Sequence, residues 1–418
     1  MDIAEHQVTV VWDNEWIKRL LYWSRKTYTY IGYYNPNRVN YPRGGFKHLL
    51  LAGDQAIDLE SISTNCDQYL AGIVSYDQKN RYEHLASENR SLASCPDAVF
   101  FRATFRVEFE SGKAHVFHPN AAKIVEEIAS YPAPSQNTRT SNVKIKPITS
   151  KESYFQNFAR IQEHIREGDI YEMNYCIGYE GCFEVIDPIE IYLKLNELSP
   201  MPFSGVFVTG GYAVICASPE RFLKKEGNTL LAQPIKGSIR RGKTEEEDEE
   251  LVSKLRSSEK EQAENLMIVD LMRNDLARVG KIGSINVDEL FGVYRFRRIS
   301  QMISSVSCKL PNDVGFARIL SKTFPMGSMT GAPKIKAMEL IDRYEDFKRG
   351  WFSGSMGYIA TNGDFDWNVI IRSIVIDLHH GTFYFGVGSA ITIDADANSE
   401  YEECLLKSQA IFEVFDNL

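Results

Sequence analysis

The sequence has no apolar run approaching the roughly 18 residues of a membrane helix, so no membrane-spanning segment is expected. Positive charge is in short supply. Forty-seven Lys and Arg stand against 56 Asp and Glu, for a net charge of −9. Nucleic acid is therefore not expected as a partner, because phosphate binding needs clustered cations. A small anion is still possible, since an acidic chain can hold a local basic pocket. The seven cysteines, at 66, 95, 176, 182, 216, 308 and 404, form no C-x-x-C pair and no regular spacing. They read as structural thiols in a reduced compartment. Residues Met1 to His6 show no basic stretch leading into an apolar run. No signal peptide is expected, and the expected location is cytoplasmic. Repeats and low-complexity tracts are missing as well. So is the Walker spacing of a nucleotide loop.

What remains is an ordinary globular composition, 44% hydrophobic and 25% charged. Residues 1–131 are rich in Tyr, Phe and Trp and read mainly as strands and turns, with one alternating run from Phe100 to Phe109 and a helix from Asn120 to Tyr131. The proline-bearing polar stretch Tyr131 to Ser141 marks a linker, so 132–149 is read as a connection. Residues 150–418 then mix helices and strands. Helices are expected at 150–167, 188–198, 244–256, 259–278, 315–323, 334–346 and 400–416. Strands are expected at 171–183, across the Gly210-Gly211 hairpin, and near 355–361, 368–377 and 382–390. Without strict βαβ alternation, the pattern favours an α+β fold with largely antiparallel sheets.

Five segments carry possible chemistry. In Gln233-Pro234-Ile235-Lys236-Gly237-Ser238 a proline ends an apolar run, and a lysine is followed by a Gly-Ser pair. This places Lys236 at a strand end, beside backbone N–H groups that Gly237 could offer to an anion. A solvated lysine is the plainer alternative. Glu261 and Glu264 lie three apart on one helix, and Glu400 and Glu403 three apart on another, so each pair shares a face. Capping boxes, Ser258 with Glu261 and Ser399 with Glu402, would also explain them. Should the pairs converge, a hydrated divalent cation such as Mg²⁺ would relieve their repulsion. Glu220, in Ser218-Pro219-Glu220-Arg221-Phe222, could be a general acid if burial raises its pKa, or could pair with Arg221. Phe324 to Lys334 offers two glycines and two hydroxyls before a helix, either an anion nest or a capped loop. Arg372 interrupts an apolar strand run and needs a carboxylate, from a ligand or from the protein.

Taken together, these segments resemble the chorismate-utilising enzymes. The resemblance runs from about Glu167 to the C-terminus. It rests on Gly168-Asp169-Ile170-Tyr171, Ser218 to Phe222, Pro234 to Ser238, Ala263 to Met267 with Asp270 to Leu276, Gly331-Ala332-Pro333-Lys334 and Glu400 to Glu403. Within the family the chain looks most like the component I proteins of aminodeoxychorismate synthase, on the para-aminobenzoate branch that leads to folate. Anthranilate synthases are similar but have a small residue at the position of Lys236. Isochorismate and salicylate synthases place a water-activating lysine at the position of Glu172. Gln301 stands where many relatives have a histidine, which in anthranilate synthase is linked to pyruvate loss.

The resemblance implies an α/β/β/α sandwich of two mainly antiparallel sheets, as in anthranilate synthase component I. It implies a Mg²⁺ cofactor held by Glu261, Glu264, Glu400 and Glu403. Chorismate would be bound by Arg372 and Tyr358, with Ser328, Gly388, Gly237, Ser238 and Lys407 helping to position it. Lys236 would be a nucleophile and Glu220 the general acid. Glu172 could accept a proton from ammonium, a role read from its carboxylate and not from the resemblance, since the family more often has glutamine there. With no Gly-x-Cys-x-Gly glutaminase turn in sight, ammonia is expected from a separate glutamine amidotransferase subunit or from free ammonium. Anthranilate synthase, isochorismate or salicylate synthase, and a non-catalytic chorismate-binding subunit are the alternatives.

Overall fold

The computed structural model describes residues 6–62, 66–132 and 143–416. Residues 133–142 of the expected linker lie outside these. Two sheets dominate, and every strand pair in them is antiparallel. Among the described residues the larger sheet has 12 strands and the smaller 10. The centre of the larger sheet runs through strands Tyr30–Asn35, Phe203–Val208, Tyr212–Ser218, Ser373–Asp377, Thr382–Ile391 and Glu172–Cys182. The smaller begins with Ile235–Arg240, Ile299–Lys309, Thr229–Gln233, Arg221–Glu226, Phe365–Asn368, Ser355–Ile359 and Leu70–Val74. Segments before residue 131 and after residue 150 thus contribute strands to both sheets.

The sheets face one another across an aromatic core. Tyr34 of the larger sheet donates its hydroxyl to the Gly357 carbonyl of the smaller at 2.5 Å. Phe207 and Phe101 meet across the same gap with ring centroids 5.8 Å apart. Burying such rings is the main driving force for closing the sandwich. Helices cover the outer faces. Phe316, on helix Phe316–Thr323, packs against Phe365 and Trp367 of the smaller sheet. Helices Pro188–Leu198 and Ala397–Asp416 pack on the larger sheet.

Most expected elements are present. Helix Lys151–Glu167 ends on Gly168 in the left-handed region (φ 82°), as a C-terminal glycine should. Three expectations need correcting. The run from Phe100 to Phe109 is two strands, Ala98–Arg102 and Phe105–Glu110, one in each sheet. Alternation carries on through the switch because both halves face the same core. The expected strand 368–377 is broken too. Phe365–Asn368 belongs to the smaller sheet and Ser373–Asp377 to the larger. Finally, the aromatic N-terminal stretch holds a helix, Asn14–Thr27, where Asp13 accepts a hydrogen bond from the Trp16 N–H at 2.8 Å.

Candidate active site

Two of the places where the chain passes from one sheet to the other meet at a cavity. Pro219 and Glu220 join strand Tyr212–Ser218 to strand Arg221–Glu226, and residues 369–372 join Phe365–Asn368 to Ser373–Asp377. The cavity is about 150 Å³. Its lining includes Glu220, Lys236, Gly237, Ser238, Glu261, Glu264, Ser328, Arg372, Gly388, Glu400, Glu403 and Lys407. Segments far apart in sequence thus supply one site, and a crossing point between sheets is free of the ladder bonding that would fill it.

Lys236 is not at a strand end. Pro234 ends strand Thr229–Gln233, but the chain resumes at once as Ile235–Arg240, paired with Ile299–Lys309. The register shifts between Ile235 and Ser238, and Gly237 there has φ +92°, which favours glycine. A Cβ on Gly237 would lie 2.9 Å from Glu261 Oε2. The irregularity sets Lys236 inside the cavity, with its side chain only 12% exposed. Asn265, on the helix that carries Glu261 and Glu264, donates to the Lys236 carbonyl at 3.1 Å. Ser304 in turn donates to Asn265 Oδ1 at 2.6 Å. Ser238 sits at the exposed rim, and Arg240 and Arg241 turn away to pair with Glu247 and Asp248.

The Lys236 ammonium lies 2.5 Å from Glu172 Oε1. Burial alone would push the Lys236 pKa down, but Glu172, Glu264 and Glu403 hold it above its ordinary value. These carboxylates therefore favour the ammonium form of Lys236. Glu172 is buried, and its Oε2 has no hydrogen-bond partner among the described residues.

Glu220 is buried in the cavity wall. Burial raises its pKa to about 7, against the lowering influence of the Ser328 hydroxyl, Lys236 and the Ile235 N–H. Ser328 donates to Glu220 Oε1 at 2.6 Å. The alternative of a Glu220–Arg221 ion pair is excluded. Arg221 points the other way along the strand and binds both oxygens of Asp366, at 2.8 and 2.9 Å.

The two acidic helices converge. Burial and repulsion by Glu403 raise the Glu400 pKa to about 7, while burial and Glu264 raise that of Glu261. Burial raises Glu264 as well, and Lys407, bonded to Glu403 Oε1 at 2.7 Å, holds Glu403 low. Ser258 does cap the first helix, accepting from the Glu261 N–H at 3.4 Å, but this leaves the carboxylates free to face the cavity. Asp396, not Ser399, caps the second helix, accepting from the Ser399 N–H at 2.9 Å. The four carboxylates do not form a closed chelate. Among the described residues, only His164, Glu167 and Asp169 bring three ligand atoms within 4.8 Å of one another. Both ring nitrogens of that histidine are already hydrogen-bonded, to Asp169 and Tyr344.

Arg372 reaches the cavity without a carboxylate partner among the described residues. Its nearest polar contact is Met201 Sδ at 4.0 Å. Burial lowers its pKa to about 10, still leaving it charged at neutral pH. Its φ of +49° is strained for a side-chain-bearing residue. A free guanidinium in a cavity wall is a natural receptor for a carboxylate. The internal ion pair considered from sequence is therefore not formed.

Tyr358 is misplaced in the sequence reading. It points into the core between the sheets, edge-on to Tyr34, and its hydroxyl accepts from the Lys47 N–H at 3.1 Å. It does not line the cavity. The Phe324–Lys334 loop is not an anion nest either. Lys334 pairs with Asp275 at 2.5 Å and bonds the Pro325 carbonyl, leaving Ser328 and Met329 as the loop's contribution to the lining. Lys407 lines the cavity, but its ammonium also holds the Gly388 carbonyl at 2.9 Å. Sequence reasoning missed Lys260 and Asn174, which also line the cavity. Lys260 had one signal, its place four residues before Glu264 on the same helix face. Gln301, noted only as a departure from relatives, lines it with an Oε1 that has no partner among the described residues.

A model of the chorismate binding enzyme family matches residues 22–413. The chain belongs to this family. The probable chloroplastic aminodeoxychorismate synthase of Oryza sativa subsp. japonica is 34% identical over 418 residues, which cover 89% of this chain and 46% of that protein. The chain thus spans about half the length of that relative. Aminodeoxychorismate synthase component 1 of Klebsiella aerogenes is 33% identical over 345 residues, covering 81% of this chain and 75% of the relative. Among solved structures, anthranilate synthase component I from Streptococcus pneumoniae matches with a TM-score of 0.74 and 26% identity, over 89% of this chain and 90% of that one. The expected two-sheet sandwich is borne out by this likeness. Among the described residues no helix is long and apolar enough to cross a membrane.

Proposed function

We propose that this chain is the aminating component of an aminodeoxychorismate synthase, converting chorismate and ammonia to 4-amino-4-deoxychorismate. A glutamine amidotransferase subunit would supply the ammonia, in keeping with the "component 1" in the name of the Klebsiella relative. The observation that carries this reading is Lys236 in the cavity wall, held at 2.5 Å by the buried Glu172, which does not itself line the cavity, and facing the same cavity as Glu220, whose pKa is raised to about 7.

The chemistry balances within these residues. Glu172 takes a proton from the Lys236 ammonium. The freed amine bonds to ring C2, the two ring double bonds shift, and the C4 hydroxyl leaves as water with the proton of Glu220. Ammonia then bonds to C4, the double bonds shift back, and the C2–N bond to Lys236 breaks. The new C4 ammonium returns a proton to Glu220, and Glu172 returns one to Lys236. Glutamine at position 172 could not hold that proton, so the carboxylate here suits this lysine.

Glu261, Glu264, Glu400 and Glu403 fit a hydrated Mg²⁺, because they line one cavity and no three of them bring oxygens within 4.8 Å of one another, which suits an ion that keeps several waters. When bound it would supply positive charge for the ring carboxylate. Arg372 takes the enolpyruvyl carboxylate. Arg372→Met is expected to raise KM for chorismate by roughly 10- to 100-fold, the scale of a lost charged hydrogen bond. Steady-state kinetics at saturating ammonium checks this. Product identification from chorismate, Mg²⁺ and ammonium tests the proposed reaction as a whole.

A further inference from the structure

Lys260 stands in the first turn of helix Glu259–Ala277. Its ammonium lies 3.8 Å from Glu264 Oε1 on its own helix and 3.9 Å from Glu400 Oε1 on the facing one. It therefore bridges the two acidic helices. Both distances exceed that of a hydrogen bond, and the side chain is 50% exposed, so nothing in these contacts pins it.

Glu261 and Glu403 line the same cavity as Lys260, Glu264 and Glu400. The other two ammonium groups of the cavity are committed elsewhere. Lys236 is held by Glu172 at 2.5 Å, and Lys407 by Glu403 at 2.7 Å and the Gly388 carbonyl at 2.9 Å.

We propose that Lys260 is an internal counter-cation of the four-glutamate cradle, which competes with the divalent cation and swings toward solvent when the cation binds. This inference rests on the reading of the four glutamates as a metal site. The physical basis is simple competition. Carboxylates on two facing helices repel one another, and a loosely held ammonium between them offsets part of that repulsion. A divalent cation brings twice the charge and direct or water-mediated coordination, so it displaces the lysine. The lysine thus lowers metal affinity while keeping the two helices together in the absence of metal.

The test uses the full chain and two variants, Lys260→Met and Lys260→Arg. Calorimetric titration with Mg²⁺ reports affinity, and thermal melting is compared in chelator and in saturating Mg²⁺. Lys260→Met is expected to bind Mg²⁺ about five- to tenfold more tightly than the parent chain, the scale of one screened charge at about 4 Å. It should melt lower than the parent in chelator, with the difference vanishing at saturating Mg²⁺. Lys260→Arg, which keeps the charge, should track the parent. Unchanged or weaker Mg²⁺ binding by Lys260→Met overturns the proposal, as does a melting deficit that persists in saturating Mg²⁺. A parent chain that binds no Mg²⁺ sinks the metal cradle itself and this proposal with it. Normal binding by the parent and no change in Lys260→Met sinks only the role of Lys260.

Discussion

Lys236→Ala is expected to lower the rate of C4 amination by on the order of 10³-fold or more, while Mg²⁺-dependent chorismate binding survives. The side chain is nearly buried, faces the cavity and touches Glu172 at 2.5 Å. Removing it deletes the proposed covalent step but leaves Arg372 and the four glutamates in place. Charge and nucleophilicity can be told apart with Lys236→Arg. Guanidinium keeps the positive charge and stays protonated, so it cannot attack carbon. Both variants should be equally inactive in product formation, and both should still bind chorismate in an equilibrium titration. An arginine variant with substantial activity would reduce Lys236 to an electrostatic role. An undiminished rate in the alanine variant would remove it from the reaction.

Glu220→Gln is expected to cost about 10²- to 10⁴-fold in kcat/KM, the usual span for a positioned general acid. Its pH profile makes the assignment sharper. Burial raises the Glu220 pKa to about 7, and the acid acts only when protonated. Its protonated fraction is nearly complete well below pH 7 and falls about tenfold per unit well above it. In the parent chain at saturating Mg²⁺, which would hold Glu400 and its neighbouring carboxylates ionised, kcat/KM should therefore be level on the acid side and decline through about pH 7 with unit slope. The proton that Lys236 sheds passes to Glu172 inside the pair, so it adds no opposing rise. Glu220→Gln should flatten the decline as well as lower the rate. A variant that is slow but keeps the same decline would assign the titration to another group.

The motifs that carry chemistry were legible because each is local: a Pro-Ile-Lys-Gly-Ser run, and two helical pairs of glutamates three residues apart. Their convergence was not, since it depends on pairing between strands hundreds of residues apart, such as Tyr34 with Gly205 and Ala71 with Tyr358. Tyr358 shows the cost of reading by neighbourhood. It follows a glycine in an apolar strand, as a ligand-binding residue could, but the face it occupies is set by the sheet and turns it into the core. The long hairpin Asn286–Arg295 and Ile299–Lys309 was missed for a different reason. Its inner strand is buried along almost its whole length but carries Ser300, Ser304, Ser305 and Ser307, so neither an apolar run nor an alternation stands out. Its outer strand pairs with shifted register. Lys236 was placed correctly by motif and wrongly by local structure. Pro234 was read as ending the sheet, whereas it moves the chain along the same partner strand to a bulge.

The central claim is that Lys236, Glu172 and Glu220 direct nitrogen to C4 of chorismate. The most direct measurement is to incubate the purified chain with chorismate, Mg²⁺ and ammonium and to identify the product by chromatography and mass spectrometry. The expected product is 4-amino-4-deoxychorismate, with its pyruvyl group retained. Anthranilate, isochorismate or salicylate as the product would contradict the account, and so would no turnover even with a glutaminase partner present.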